Sequence, residues 1–476
     1  MANFDLTNLA VKMICPNNVV KTDDTDLPSV LVYIPKFKNS DVLTGGNDST
    51  HPAFIVNGVE IPGFYYGKYQ AKVYNSVAYS LPGEDPTASI TFDTARARCE
   101  AKGAGWHLST NAEWAAIALW CKKNGFLPYG NNNYGKDSRE SNYKAVPSYY
   151  ESGKIARVAT GTGPISWSHD KTMAGIWDLN GNVWEWQRGI RLVWGELQIL
   201  ANNDAADPDN PQNATSTCWK AINAADGALV DPESKTTDSS ANVSGKTVKL
   251  DYVNNKWTYS TSITNAKDES RSCAFYQVAA DSSIGDAAKV MLRALALLPD
   301  SDVTTDVYEG DYMWWNNGVA ERCVCRGGYW YSGAGAGVFS LYGINSRGYA
   351  NASVGFRAAC VRFICDSDTL DDLDSDKKQP EPKKRSILAP DFIGRIKQAL
   401  ARQFQKLYEA AHGEDPEGFA ELAEKATDEE LAKAARLSAT LAQVNAAVDM
   451  YELTSKQLKL AATTLITIKT EVNDHE

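Results

Sequence analysis

The stretch RGGYWYSGAGAGVFSLYGINSRGYANASVGFRAA, Arg326 to Ala359, decides how the chain is read. It holds eight glycines, and its aromatic residues are Tyr329, Trp330, Tyr331, Phe339, Tyr342, Tyr349 and Phe356. Glycine at this density disfavours helix by about 1 kcal/mol per residue relative to alanine, and it permits turns and close backbone approaches. The stretch is therefore strand and loop. Gly337 to Phe339 and Ser353 to Phe356 read as short buried strands, and only Arg347 interrupts the neutral Tyr, Ser, Gly, Ala and Asn between them. Two readings follow: a glycine-rich core turn, or a binding face, since tyrosine with small residues is also the composition of antibody paratopes.

Working outward, GIWDLNGNVWEWQRG (Gly175–Gly189) places an Asp-Leu-Asn-Gly-Asn turn before an alternating Val-Trp-Glu-Trp strand start. Asp178, Asn180 and Asn182 can hydrogen-bond the turn backbone, while Trp184 and Trp186 bury large area. A structural turn is favoured; the alternative makes Asp178, Asn180, Asn182 and Glu185 oxygen ligands for calcium. Further back, Asp93–Lys102 and Asn111–Lys123 read as helices stopped by Gly103 and Gly125. In the second, Ser109 or Thr110 caps, Glu113 completes a capping box, and Trp114, Ile117, Ala118 and Cys121 fall at helical spacing. Residues 1–59 read as a β-rich segment with a strand at Ser29–Ile34 and a hairpin turn at Asn57-Gly58. Asn131–Arg139 is a polar loop. Residues 190–305 read as an insertion, with a hairpin turning at Asn254-Asn255 and a helix from Asp286 to Leu298 ended by Pro299.

After Ala359 the composition changes. Asp366–Asp376 carries six aspartates and Lys377–Arg385 five basic residues with two prolines, so 366–389 is expected to be a charged linker. Residues 390–476 are helical: Thr427 and Glu430 form a capping box, and a three-four apolar spacing from Ala434 to Leu465 makes a coiled-coil or bundle seam. This all-α C-terminal domain would oligomerise the protein or dock it to an assembly.

A formal charge of −11 argues against a nucleic-acid partner or an anionic membrane. Nine cysteines scattered over the chain do not form a secreted disulfide framework. The segment MANFDLTNLAVKMICPNN lacks the marks of a signal peptide, and no run reaches membrane-spanning length. Synthesis in the cytosol is expected, with display by another route.

Taken together, GIWDLNGNVWEW, RGGYW (Arg326–Trp330) and VGFRAA (Val354–Ala359) resemble the formylglycine-generating-enzyme type of C-type lectin fold, over roughly residues 60–363. The resemblance implies an α+β domain, here 60–365, with a small twisted antiparallel sheet, two helices and many loops. Enzymes of that family bind copper through paired cysteines a few residues beyond the RGG motif, and no cysteine lies between Arg326 and Ala359. Related iron enzymes need clustered histidines; the five here (51, 107, 169, 412, 475) are scattered. Cys323 and Cys325 precede the motif and alternate in a strand. No catalytic residue, metal ligand or cofactor is assigned. The rivals are a divergent copper-dependent oxidase working through Cys323, Cys325 or Cys360, and a static structural protein.

A narrower resemblance links GWHLSTNAEWAAIALWCKKNG, GNNNYG and Arg326–Ala359 to the target proteins of diversity-generating retroelements. In those systems an error-prone copy, mutated at adenines, overwrites a variable repeat. An Asn codon altered only at its adenines never yields Trp, Met, Lys, Glu or Gln, and none of these occurs from Tyr331 to Ser353. The resemblance implies replaceable, ligand-binding positions at Tyr329, Tyr331, Ser332, Gly335, Tyr342, Gly343, Ile344, Asn345, Tyr349, Asn351, Ala352 and Ser353. It implies fixed scaffold at Asp178, Asn180, Gly181, Asn182, Trp184, Glu185, Trp186, Arg326, Gly327, Gly328, Trp330, Gly355, Phe356 and Arg357. The partner implied is a macromolecule, a protein or cell surface, recognised from a phage virion.

Overall fold

The computed structural model describes residues 17–23 and 27–361, with Val11 and Cys15. Its principal strands are, in chain order, β1 (Asn18–Thr22), β2 (Pro28–Pro35), β3 (Gly63–Gly67), β4 (Trp106–Leu108), β5 (Trp184–Val193), β6 (Glu196–Ile199) and β7 (Ser244–Val253). They continue as β8 (Lys256–Ser262), β9 (Arg271–Ala274), β10 (Tyr312–Trp315), β11 (Arg322–Gly327), β12 (Gly337–Asn345), β13 (Val354–Gly355) and β14 (Ala358–Cys360). The longer helices are α1 (Phe92–Glu100), α2 (Asn111–Lys123) and α3 (Asp286–Ala294). Strand and loop dominate, helices are few, and the larger sheet curls. The expected linker 366–389 and helical domain 390–476 lie outside the described residues.

One sheet has the order β1-β2-β3-β14-β4, every pair antiparallel. Because β2 pairs with β3 from Leu31↔Gly67 to Pro35↔Gly63, the strands on either side of residue 59 share one sheet. The second sheet runs β9-β10-β12-β11-β5-β6-β7-β8 and reaches 12 strands with its short additions. Residues 190–305 thus do more than decorate the domain: β6 to β9 extend its central sheet. In β5 the register against β11 jumps from Gln187↔Val324 to Arg191↔Cys323. Gly189, at φ 76°, sits in that bulge, which lets Arg188 reach Glu100 at 2.9 Å.

Local signals mostly produce the elements they predict. Thr110 Oγ1 accepts from the Glu113 N–H and Glu113 Oε2 accepts from the Thr110 N–H, both at 3.1 Å, so the capping box opens α2 where expected. That helix is buried on nearly every side, and its Trp114 indole donates to the Val338 carbonyl at 2.7 Å. Both asparagine turns form with left-handed central residues: Asn57 and Gly58 at φ 51° and 75°, Asn254 and Asn255 at 51° and 60°. The α3 helix differs: it stops at Ala294, four residues short of the expected Leu298. Ala296 turns left-handed at φ 50°, and the Leu297 N–H closes back on the Leu292 carbonyl at 2.9 Å, a Schellman end. The carbonyls of Leu295 and Ala296 accept instead from buried Arg326, at 3.2 and 3.1 Å. A distant guanidinium, rather than Pro299, ends the helix.

The Asp178–Asn182 turn joins the two sheets. Asp178, Gly181 and Asn182 all have positive φ, and a Cβ on Gly181 would lie 2.1 Å from the Asn131 carbonyl oxygen, so only glycine fits. Apart from Asp178 Oδ1, the oxygens read as a calcium set are already committed. Glu185 makes a bidentate pair with Arg357 (2.9 and 2.7 Å), Asn180 Oδ1 accepts from Asn132, and Asn182 Oδ1 accepts from Asn131 and the Val158 N–H. Asp178 Oδ2 accepts from the Gly161 N–H at 2.9 Å while its Oδ1 is buried without a partner. The structural reading of this turn fits the geometry, and the calcium reading does not.

Arg357 also donates to the carbonyls of Gly67 and Trp177, each at 2.9 Å, and so ties β3, the turn and β5 together. Arg357→Met would leave Glu185 charged and buried. It is expected to cost about 3–5 kcal/mol in urea unfolding, with part of that recovered in the Glu185→Gln, Arg357→Met double variant. A cost below about 1 kcal/mol for the single change would contradict this role. Burial raises the Asp178 carboxyl from 3.8 to about 6. A raised acid stabilises fully below its unfolded value and loses that contribution as pH rises through its folded value. Asp178→Asn should therefore gain about 2 kcal/mol relative to the parent between pH 4 and pH 7, read from urea midpoints at the two pH values.

Candidate functional site

A groove of about 470 Å³ opens where β5, β10 and β12 meet the loops after β11 and β12. Seven of the twelve positions expected to be replaceable line it: Tyr329, Tyr331, Ser332, Tyr342, Tyr349, Asn351 and Ser353. Its base and walls come from elsewhere, from Trp184 at the start of β5, Trp314 on β10, and Trp330. Trp184 stacks on Tyr342 at 5.1 Å and meets Trp314 edge-on at 5.8 Å. Tyr331, 60% exposed, packs on Tyr134 at 5.0 Å. Burial pushes the Tyr342 phenol up to about 12 and raises that of Tyr329, so both remain hydrogen-bond donors at neutral pH.

The backbone of both loops is pinned from outside. After β11, the Gly181 N–H donates to Gly327, the Tyr134 N–H to Trp330, and the Gly333 N–H to the Asn132 carbonyl, at 2.8–2.9 Å. In the 346–353 loop the carbonyls of Asn351, Ala352 and Ser353 accept from the Ser89 N–H, the Arg157 guanidinium and the Trp184 N–H, at 2.9, 3.0 and 2.8 Å. Arg347 anchors the same loop through Glu321 (3.1 and 3.0 Å) and Asp93 (3.0 Å). None of these bonds uses the side chain of Tyr331, Tyr349 or Asn351. Fixed segments hold much of the main chain, while Asn351 Oδ1 accepts from the Ser353 N–H at 3.0 Å and Ser332 Oγ from the Tyr329 N–H at 3.1 Å.

The other five positions sit differently. Gly335 lies against Trp314, Ile344 is half-buried on β12, and Ala352 packs beside Val183 and Trp330. Asn345 is buried in β12 opposite Cys323. Gly343 is buried too, and a Cβ there would fall 2.0 Å from the Trp315 ring, so any side chain must displace a core indole. The scaffold arginines are fully buried; Arg326 donates to Asn111 Oδ1 as well as to the α3 carbonyls. Trp314, Glu151 and Tyr134 were not singled out by sequence. Strand alternation carries the signal for Trp314: in Tyr312-Met313-Trp314-Trp315, Met313 and Trp315 are buried and the other two face out.

Cys323, Cys325 and Cys360 lie in the apolar cluster beneath the groove, with Trp184 and Trp186. Burial pushes the Cys323 thiol up to about 12 and raises that of Cys325 well above its usual range, leaving neither as a thiolate. Among the described residues no group of three His, Cys, Asp or Glu side chains is placed to hold a metal, and no helix is long and apolar enough to cross a membrane.

No family model and no curated protein matches the chain. Among solved structures it is similar to Treponema denticola variable protein 1, at 12% identity and a TM-score of 0.26, over 72% of this chain and 99% of that one. It is also similar to the U1 variant of the Major Tropism Determinant, at 10% identity and a TM-score of 0.25, over 71% of this chain and 64% of that one. The M1 variant of the same protein gives 10% identity and a TM-score of 0.25, over 73% of this chain and 72% of that one.

Proposed function

We propose that this chain is a non-catalytic ligand-binding protein: a C-type lectin scaffold of the formylglycine-generating-enzyme type whose groove is diversified by a retroelement. Its ligand is a macromolecule, a receptor or host-surface protein met from a phage virion, and the segment 390–476, expected from its sequence to be helical, oligomerises it or docks it to a larger assembly and so raises avidity. The observation that carries this reading is the separation of duties at the groove. Bonds to the loop backbone from Asn132, Asn182, Ser89, Trp184 and the Arg157 guanidinium hold both loops from outside, alongside local bonds from Ser332 and Asn351. Such an arrangement tolerates replacement at Tyr331, Tyr349 and Asn351 without loss of a core. The non-catalytic part rests on the cysteines, which are buried and held protonated beneath the groove.

Two measurements test the proposal. The triple variant Tyr331→Ser, Tyr349→Ser, Asn351→Asp should lose no more than about 1 kcal/mol of stability, whereas Trp184→Ser should lose about 3–5 kcal/mol. A triple variant as unstable as Trp184→Ser would make the segment a structural turn. In the neighbouring DNA an adenine-rich near-copy of the segment is expected, differing at codons of the groove-lining positions and sparing Gly343. Absence of that copy would leave a static surface and remove the retroelement.

A further inference from the structure

Three features of the groove lie outside the segment 326–359: Trp184, Trp314 and Glu151. On the reading above they stay constant while their neighbours change, so they fix what kind of group every version of the groove accepts. Glu151 is the only charged residue in the lining, and it ends an exposed strand, Pro147–Glu151, of the hairpin that continues at Lys154–Val158. Its cross-strand partner Lys154 does not neutralise it. The Lys154 ammonium lies instead 4.5 Å over the ring of Tyr134, which packs on Tyr331. The rim therefore already holds one ammonium against a tyrosine face.

We infer that the groove binds a lysine or arginine side chain presented by the partner protein, held against the half-buried rings of Trp314 and Tyr342 and paired with Glu151. The inference rests on the face being a binding face and adds the chemistry of its ligand. Aromatic faces carry negative quadrupole charge, and a cation near several of them in a partly dry site gains more than a neutral group of the same shape. Trp184, 3% exposed, backs the site, and Trp314 meets it edge-on at 84°. Tyr342 closes on both, at 5.1 and 6.1 Å from their centroids. No basic residue lines the groove and its one charge is the Glu151 carboxylate, so a cation is favoured there over an anion. A protein is the fitting source of the cation because the rim presents exposed Tyr331 and Tyr349, the residue type enriched in protein interfaces.

The full-length protein can be titrated with Nα-acetyl-lysine methylamide, its arginine counterpart and tetramethylammonium, with 3,3-dimethylbutan-1-ol as the neutral isostere, by ligand-observed NMR. The cations are expected to bind and the isostere to bind about tenfold more weakly. Glu151→Gln should weaken cation binding several-fold and flatten its salt dependence, and Trp314→Leu should abolish it with the thermal midpoint retained. Asp286→Asn, an exposed carboxylate on α3, should change nothing and controls for net charge. Equal binding of the isostere, no effect of Glu151→Gln, or no binding by any cation would overturn the inference while leaving the DNA test of diversification independent. Retention on phosphatidylcholine vesicles without binding of the lysine or arginine probes would assign the cation to a lipid headgroup and overturn the protein source.

Discussion

The bidentate pair between Glu185 and Arg357, with both side chains out of water, is the constraint on which the rest of the architecture depends. A buried pair of this kind adds little net stability over an apolar substitute, yet breaking it strands a charge in the core. Its consequence is therefore specificity of arrangement. Arg357 uses its remaining donors on the carbonyls of Gly67 and Trp177, and Gln70 completes Glu185 at 3.0 Å. Only one relative placement of β3, the Asp178–Asn182 turn, β5 and β14 satisfies all of these groups together. Arg326, opposite Glu185 in the antiparallel register, does the same with neutral partners alone, the Asn111 side chain and the carbonyls of Leu295, Ala296 and Phe339.

That rigidity is what allows the groove to be undemanding about its own side chains. Loops usually owe their shape to the residues they contain. Here the two loops owe theirs to donors and acceptors in segments remote in sequence, such as Ser89, Asn132 and Arg157. The aromatic base is likewise supplied from β5 and β10. Tyrosine at the rim contributes area at small entropic cost.

Much of the local structure was legible in the sequence because its causes are local. A capping box, an Asn-Gly pair and an Asn-Asn pair each act within four residues, and all three give the expected element. The end of α3 was not legible, since Arg326 takes its last carbonyls from about thirty residues away. Asn131–Arg139 reads as a solvated polar loop, yet Asn131, Asn132 and Asp137 are buried, their polar atoms matched by Ala156, Asn180, Asn182 and the Gly130 N–H. Composition cannot distinguish a polar group that faces water from one that faces a partner. Gly343 illustrates the converse: it belongs by type with the adaptable glycines of the segment, and only the position of Trp315 shows that it is core.

Arg347, the one charge in an otherwise neutral stretch, gains its meaning from the same logic. Its guanidinium is held by Glu321 and Asp93 and lies 4.9 Å from the centroid of the Phe92 ring, while Glu321 also binds Arg191 at 2.9 Å. Arg191 in turn donates to Gln198, whose amide reaches Glu196 on β6. A run of charge-assisted bonds thus leads from the groove loop into the sheet formed by residues 190–305. Because each member satisfies the next, the loop cannot shift without unpairing buried groups along that run, which costs more than any single rim contact supplies. The extended sheet therefore contributes to the groove from a distance: it helps to fix the loop that carries Tyr349 and Asn351.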